Sequence, residues 1–246
     1  MTNEPVSGSP DARLSSSVGD YLKTIWLLSA SGGGAVATGE IARELGVTAP
    51  SVTGMLGKMH AQGLVQYQPY KGAELTVEGR QEALRLVRRH RLLETFMITE
   101  LGFGWDEVHA EAELMEHVVS DEFTERLAAH LGQPLFDPHG DPIPQADGSL
   151  PSAPHTPLAQ LLPGERFVVH RVPSQDSEVL TYLESIGVEP GTELRLRGRE
   201  PGGNLLLLER TVPGSPGGSG EPGATRQLSL SREMAGMVLG QVLGAR

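Results

Sequence analysis

The sequence predicts a mainly α-helical protein that ends in a small β domain. Three observations carry this. The first third holds short helical patterns divided by a tight turn, then an alternating stretch with a turn of its own. A long helical pattern follows, and after it the acidic segment EVHAEAELMEH, residues 107–117. From about Leu158 the chain changes to short strand-like runs.

A chain of 246 residues has room for two or three small domains with cores of their own. It contains no cysteine, which removes disulfides, thiolate zinc sites and cysteine nucleophiles, and which fits a reducing cytoplasm. No apolar run approaches the roughly 18 residues of a membrane span, and the polar start MTNEPVSGSP is no signal peptide. A soluble, cytoplasmic protein with no membrane partner is expected. The net charge of −11 is unevenly spread. Residues 1–91 carry ten basic and eight acidic side chains, residues 92–150 one and thirteen, and the remainder nine and ten. The acid sits in the middle, so the first third can still approach phosphates.

Residues 1–13, rich in Ser, Pro, Gly and Asn, have little to bury and read as a disordered tail. SSSVGDYLKTIWLLSA then reads as an amphipathic helix with Val18, Leu22, Ile25 and Trp26 as its apolar stripe, and SGGG ends it. TGEIARELGV reads as a short helix closed by Gly46. In TAPSVTGMLGKMHAQGL, Thr48 is placed to cap a third helix and Pro50 falls in its first turn. LVQYQPYKGAELTVEG alternates and turns at Lys71-Gly72, as a two-stranded ribbon does. A helix is expected from about Val77 to Leu101, and another from the acidic segment to about Leu131. Residues 133–157, rich in Pro, Gly and Asp, read as a linker. RFVVHRV, TELRLRG, NLLLLERT and RQLSLS read as strands, Ser174 to Ile186 as a helix, and residues 213–223 as a mobile loop.

Helix, turn, helix and ribbon in this order make a winged helix-turn-helix, whose second helix enters the major groove while the wing touches the backbone. Thr48, Pro50, Ser51 and Thr53 then stand near the reading helix's start, and Lys58 and Lys71 can neutralise phosphates. A three-helix protein-interaction domain is the alternative.

The acidic segment poses a chemical question. With His109 at 0°, Glu113 falls at roughly 40°, Glu116 at roughly 340° and His117 at roughly 80° on a helical wheel. Leu114, Met115 and Val118 lie opposite and are expected to face a core or a dimer surface. No Lys or Arg between Arg91 and Arg126 offsets the carboxylates. The spacing alone leaves a metal site and a solvated acidic face both open. His90 and Glu94, one turn apart upstream, add a second imidazole–carboxylate pair that a helical hairpin would bring alongside.

In "DYLKTIWLL", "APSVTGML", "LTVEGR", "RRHRLLETF" and "EHVVSDEFTERL" the chain resembles the diphtheria toxin repressor and manganese transport regulator (DtxR/MntR) family of metal-dependent transcriptional regulators. The resemblance is strong over residues 15–145 and looser over 158–246. It implies a winged helix-turn-helix at 14–83, a helical metal-binding and dimerisation domain at 84–145, a linker at 146–157 and an SH3-like (FeoA-like) barrel at 158–246. It implies a primary metal site of Asp20, Glu113, Glu116 and His117. It also implies a second site of His90, Glu94 and His109, completed by Gln175 and Glu178, which stand here in the reverse of the family's usual order.

Iron-responsive members carry Met and Cys where this chain has Asp20 and Glu113; manganese-responsive members carry Asp and Glu. Carboxylate and imidazole ligands suit harder ions, so Mn²⁺ is favoured and Fe²⁺ is second, while Zn²⁺, Co²⁺ or Ni²⁺ can enter in vitro. Two features point the other way: Lys23 replaces a Glu of the short manganese regulators, and the long architecture is typical of iron-type members. Gly54 stands where iron-type regulators carry an operator-contacting Gln, which implies more reliance on DNA shape and phosphates. The expected partners are a palindromic DNA operator, a second copy of the chain and divalent metal ions. The expected function is repression of metal-uptake genes, with the ion fixing the DNA-binding domain against the dimerisation domain. Two rivals are a winged-helix regulator that senses an organic ligand and a di-metal carboxylate enzyme. The enzyme would need four ligand-bearing helices and Glu-x-x-His pairs, and no H-E-x-x-H, P-loop or G-x-S-x-G motif is present.

Overall fold

Val18, Leu22, Ile25 and Trp26 recur at helical spacing along α1 (Ser16–Gly32), and all four are buried. The computed structural model describes residues 14–174, 176–211 and 225–245, and it divides into two units, residues 1–87 and 88–246. The expected tail at 1–13 and the expected loop at 213–223 lie outside the described residues. In the first unit, α2 (Thr38–Glu44) starts where the Ala37 N–H donates to the Glu40 carboxylate. α3 (Ala49–Ala61) starts at Thr48, whose hydroxyl accepts from the Ser51 N–H, with Pro50 in the first turn. Val52, Leu56 and Met59 point inward. β1 (Val65–Gln68) and β2 (Gly72–Leu75) pair antiparallel as the wing, and Val36 bridges to Ala73 beside them. Gly72 is required there: at φ 103° any Cβ would lie 2.3 Å from the Val36 carbonyl oxygen.

α4 (Val77–Leu101) begins in the first unit and continues into the second. The helix expected from the acidic segment to Leu131 is instead two, α5 (Val108–Glu116) and α6 (Asp121–His130). Ser120 causes the break. Its hydroxyl accepts from the Phe123 N–H, and Asp121 and Glu122 follow in the new first turn, where carboxylates are favoured. Of the two surfaces expected for the apolar side of α5, the core of this chain is the one it does not face. Leu114 is 74% and Val118 67% exposed, whereas Val108, Ala112 and Glu116 are buried. The core of this layer is Leu92, Leu93, Met97, Val108, Ala112, Leu127, Ala128 and Ile143.

Residues 133–145, read from composition as linker, are built into the second unit. Phe136 and Pro142 form a β-bridge. Between them Asp137 Oδ1 accepts from the His139 and Asp141 N–H groups, and Ile143 is fully buried. Arg88 grips both oxygens of Glu125 and the Pro144 carbonyl, and Arg91 donates to the Pro142 carbonyl.

The C-terminal sheet has six antiparallel strands: β3 (Thr156–Pro157), β4 (Glu165–Arg171), β5 (Glu193–Arg199), β6 (Leu205–Thr211), β7 (Thr225–Ser231) and β8 (Leu239–Ala245), in the order β3-β8-β4-β5-β6-β7. Thr156 and Pro157, expected in the linker, already pair with β8. α7 (Ser177–Ile186) and α8 (Arg232–Met237) pack on a core that includes Phe167, Leu180, Leu183, Leu194, Leu206 and Leu208. Trp105, from the turn before α5, sits in this same core. Asp141 accepts Arg91 on α4 and Arg171 on β4, so the sheet and the helices of this unit are fastened at one carboxylate. The fold is mainly α, with a winged helix-turn-helix, a helical domain and a small SH3-like β domain.

Candidate metal centres and DNA-reading face

One turn of α4 separates His90 from Glu94, so both project from the same face, and both are buried. α5 brings His109 against them. His90 Nε2 is 3.0 Å from Glu94 Oε1 and 3.0 Å from His109 Nδ1, and His109 Nδ1 is 3.3 Å from Glu94 Oε1. These three atoms form a triangle. Metal–ligand bonds of about 2.1 Å at right angles put neighbouring donors about 3.0 Å apart, so the donor set fits one face of an octahedral ion. Burial works to raise the Glu94 carboxyl. The His90 imidazole beside it, with hydrogen bonds to His109 and His90, outweighs that and holds it far below the usual carboxylate range.

The second end of His90 meets α5. Its Nδ1 lies 2.5 Å from Glu116 Oε2, and Glu116 is 1% exposed. Glu116 Oε1 lies 3.6 Å from His117 Nε2, at the residue that caps α5. Glu113 is exposed, with Oε1 3.5 Å from His109 Nε2. The expected primary ligands on α5 thus stand beside the expected second-site ligands. Asp20 lies half-buried on α1 of the first unit.

Two residues escaped the sequence reading. Asp137 and His139, in DPHGD, offer donor atoms that lie with one of Glu94 within 4.8 Å of one another, and all three residues are buried. Asp-x-His was a signal, but it fell in a stretch that composition assigned to a linker. His139 Nε2 is buried without a hydrogen-bond partner among the described residues, while its ring stacks edge-on against Trp105 at 4.8 Å. Burial pushes the Asp137 carboxyl well up, helped by the Asp141 and Glu94 charges and partly opposed by Arg91. Burial pushes His139 down, against the pull of Glu94 and Asp141. A neutral imidazole with an unused ring nitrogen and a carboxylate short of positive charge are groups that a divalent cation satisfies.

Of the expected completion from the C-terminal domain, Glu178 alone falls among the described residues. Glu178 is exposed in the first turn of α7 and does not join His90, Glu94 and His109; Asp176 caps that helix and accepts from the Glu178 N–H. Gln175 lies outside the described residues.

On the DNA-reading side, Thr48, Pro50, Ser51, Thr53 and Lys58 are all exposed on α3 or at its cap, and Lys71 is exposed on the wing. All three hydroxyls have local duties: Thr48 and Ser51 pair at 2.9 Å, and Thr53 donates to the Ala49 carbonyl.

Comparison with known proteins agrees with this layout. Residues 13–73 match the iron dependent repressor N-terminal DNA binding domain, residues 76–145 the iron dependent repressor metal binding and dimerisation domain, and residues 156–242 the FeoA domain. The iron-dependent repressor IdeR of Mycobacterium leprae (strain TN) is 32% identical over 206 residues, 79% of this chain and 87% of that one. The diphtheria toxin repressor of Corynebacterium glutamicum is 34% identical over 184 residues, 71% of this chain and 80% of that one. The solved structure of a manganese-dependent transcriptional repressor in complex with manganese is 38% identical, covers 92% of this chain and all of that one, and superposes with a TM-score of 0.78. Among the described residues no helix is long and apolar enough to cross a membrane. The chain belongs to the DtxR/MntR family of metal-dependent transcriptional repressors, homodimeric DNA-binding proteins that are not enzymes.

Proposed function

We propose that this repressor is activated by Mn²⁺, with Fe²⁺ as the second choice, and that it acts in the cytoplasm on genes of metal uptake. The observation that carries the metal reading is the triangle of His90, Glu94 and His109 donor atoms, with edges of 3.0–3.3 Å. The donors are oxygen and nitrogen throughout, and the chain has no cysteine to add a soft ligand. The relatives named above divide between iron and manganese, so the ligand chemistry argues for Mn²⁺.

In this reading Asp20, Glu113, Glu116 and His117 hold the first ion, and His90, Glu94 and His109 hold a second. Asp137 and His139 offer Glu94 an alternative pair of co-ligands. The first ion ties a helix of the DNA-binding domain (14–83) to the dimerisation domain (84–145). In a two-fold dimer, that tie sets the spacing of the two α3 helices to the half-sites of a palindromic operator. Ion binding is then the differential interaction that favours the DNA-competent state. Thr48, Pro50, Ser51 and Thr53 face base edges and sugar, and Lys58 and Lys71 face phosphates. The exposed apolar side chains Leu114, Met115, Val118 and Phe123 form the dimer surface. Substituting Glu116→Ala abolishes Mn²⁺-stimulated operator binding while leaving a folded dimer. Unchanged stimulation in that variant overturns the first-site assignment.

A further inference from the structure

Tyr70 stands at the tip of the wing with its side chain 106% exposed, so it packs on none of the described residues. Its backbone is held at φ +68°. The cause is local. Pro69 sets the first corner of a tight turn, and the Lys71 N–H donates to the Gln68 carbonyl at 3.1 Å to close it. The residue after the proline then takes a positive φ, as in a type II turn. Glycine or asparagine holds that position with little strain, whereas a tyrosine brings its Cβ against the following carbonyl oxygen. Two residues on, Gly72 shows the same ribbon using glycine where the backbone demands it. The fold gains no packing from the Tyr70 ring and bears the strain of holding it out. A residue both strained and unpacked points to a contact outside the chain.

We propose that Tyr70 is a DNA-contact residue whose ring lies on a deoxyribose at the edge of the minor groove beside each half-site. The proposal rests on the reading that the wing runs along the duplex backbone with Lys71 on a phosphate. The tip, residues 68–71, is exposed throughout and carries one cation and no carboxylate, so it suits a polyanion. Tyr70 stands beyond the last pair of the ribbon, Gln68 with Gly72, with no neighbouring strand to cover it. A sugar offers the ring an apolar C–H surface, and a phosphate does not. Taking part of a hydrated ring out of water there is favourable and releases no counterion. Tyr70 and Lys71 thus divide the work of the tip: the ammonium supplies salt-sensitive affinity, and the ring supplies affinity that salt leaves alone.

The experiment uses the full-length protein at saturating Mn²⁺ and a labelled duplex selected from a random library by the Mn²⁺-loaded wild type. Fluorescence anisotropy over a series of salt concentrations compares wild type with Tyr70→Gly, Tyr70→Phe and Lys71→Ala. Half-burying one ring is worth about 5-fold in affinity, so a dimer that places two loses about 25-fold in Tyr70→Gly. The slope of log affinity against log salt stays at the wild-type value in that variant, while Lys71→Ala lowers it. Tyr70→Phe keeps wild-type affinity, because the ring and not the hydroxyl makes the contact. Tyr70→Gly melts no lower than wild type, since glycine holds the positive φ without strain, so its weaker binding is not a folding defect. Hydroxyl-radical footprinting, which reports access to deoxyribose, shows one protected sugar per half-site outside the α3 contacts in wild type and Tyr70→Phe. That protection is gone in Tyr70→Gly.

Wild-type affinity in Tyr70→Gly, a loss in Tyr70→Phe equal to that in Tyr70→Gly, or a footprint the same in both overturns the proposal. If Lys71→Ala still lowers the salt slope in that case, the wing reading stands without the ring contact. If neither Tyr70→Gly nor Lys71→Ala alters binding, the wing reading falls as well.

Discussion

Replacing Asp137 with Asn removes a carboxyl group whose ionised form the fold disfavours. The carboxyl is pushed up by burial first, then by Asp141 and Glu94, and Arg91 offsets only part, with its Nε 3.6 Å from Oδ2. A raised carboxyl binds its proton more tightly in the fold than in the unfolded chain. Its contribution therefore favours the fold below the unfolded value, about 3.9, and is lost as pH rises through the folded value. At neutral pH and without metal the protein carries that loss. Asn keeps the shape and the oxygen that accepts from the His139 and Asp141 N–H groups, both at 2.9 Å. Asp137→Asn should stabilise the metal-free protein at pH 7.5 by about 1–3 kcal/mol, the scale of one poorly compensated buried group. That corresponds to roughly 2–4 °C in Tm per kcal/mol for a unit of this size. The gain should shrink as pH falls toward 4. In excess Mn²⁺ the order should reverse, because the carboxylate is the better ligand. Melting curves at pH 7.5 and 5, with chelator and with Mn²⁺, read all four cases. A metal-free variant less stable than wild type at pH 7.5 refutes the reasoning, because Arg91 would then compensate the charge in full.

Three further outcomes are expected. Lys71→Ala should lower operator affinity for all sequences alike and reduce the slope of log affinity against log salt by about 1, with Mn²⁺ uptake unchanged; an unaltered slope removes Lys71 from the phosphate contacts. Leu114→Glu with Val118→Glu places charge on two exposed apolar positions of α5 and should shift the protein from dimer to monomer in light scattering, which a persisting dimer contradicts. Gly140→Ala should cost about 1–3 kcal/mol or more, since φ is +85° and a Cβ would lie 1.8 Å from the His170 carbonyl oxygen; a melting temperature equal to wild type would show that the turn yields freely.

Much of the layout was legible because it rests on periodicity and punctuation. The stripe Val18, Leu22, Ile25, Trp26, the Thr48 cap, the Lys71-Gly72 turn and the bounds of α4 all follow from local rules. The break after His117 was missed because the apolar pattern runs on through it, and the Ser120 cap outweighs that continuity. That the apolar side of α5 stays out of the chain's own core has a physical reason. The wheel gives two faces, and the usual rule buries the apolar one, but here buried Glu116 is stabilised by His90 while Leu114 and Val118 stay exposed. Asp137 and His139 were hidden by composition: a Pro- and Gly-rich stretch folds into a turn through side-chain hydrogen bonds that no periodicity announces. The spacing of His90 and Glu94 pointed to a pair that a hairpin would bring beside His109, the resemblance named the set, and α4 and α5 bring the three donor atoms within 3.3 Å.

The central claim is that a divalent ion switches on operator binding. The direct measurement is fluorescence anisotropy of a labelled duplex, selected from a random library by the Mn²⁺-loaded protein, titrated with the protein at fixed ionic strength. It is run with chelator, then with Mn²⁺ and separately with Fe²⁺ under anaerobic conditions. The account predicts weak, sequence-indifferent binding in chelator and tight binding when metal is restored, at lower free Mn²⁺ than free Fe²⁺. Equal, tight binding with and without chelator contradicts it.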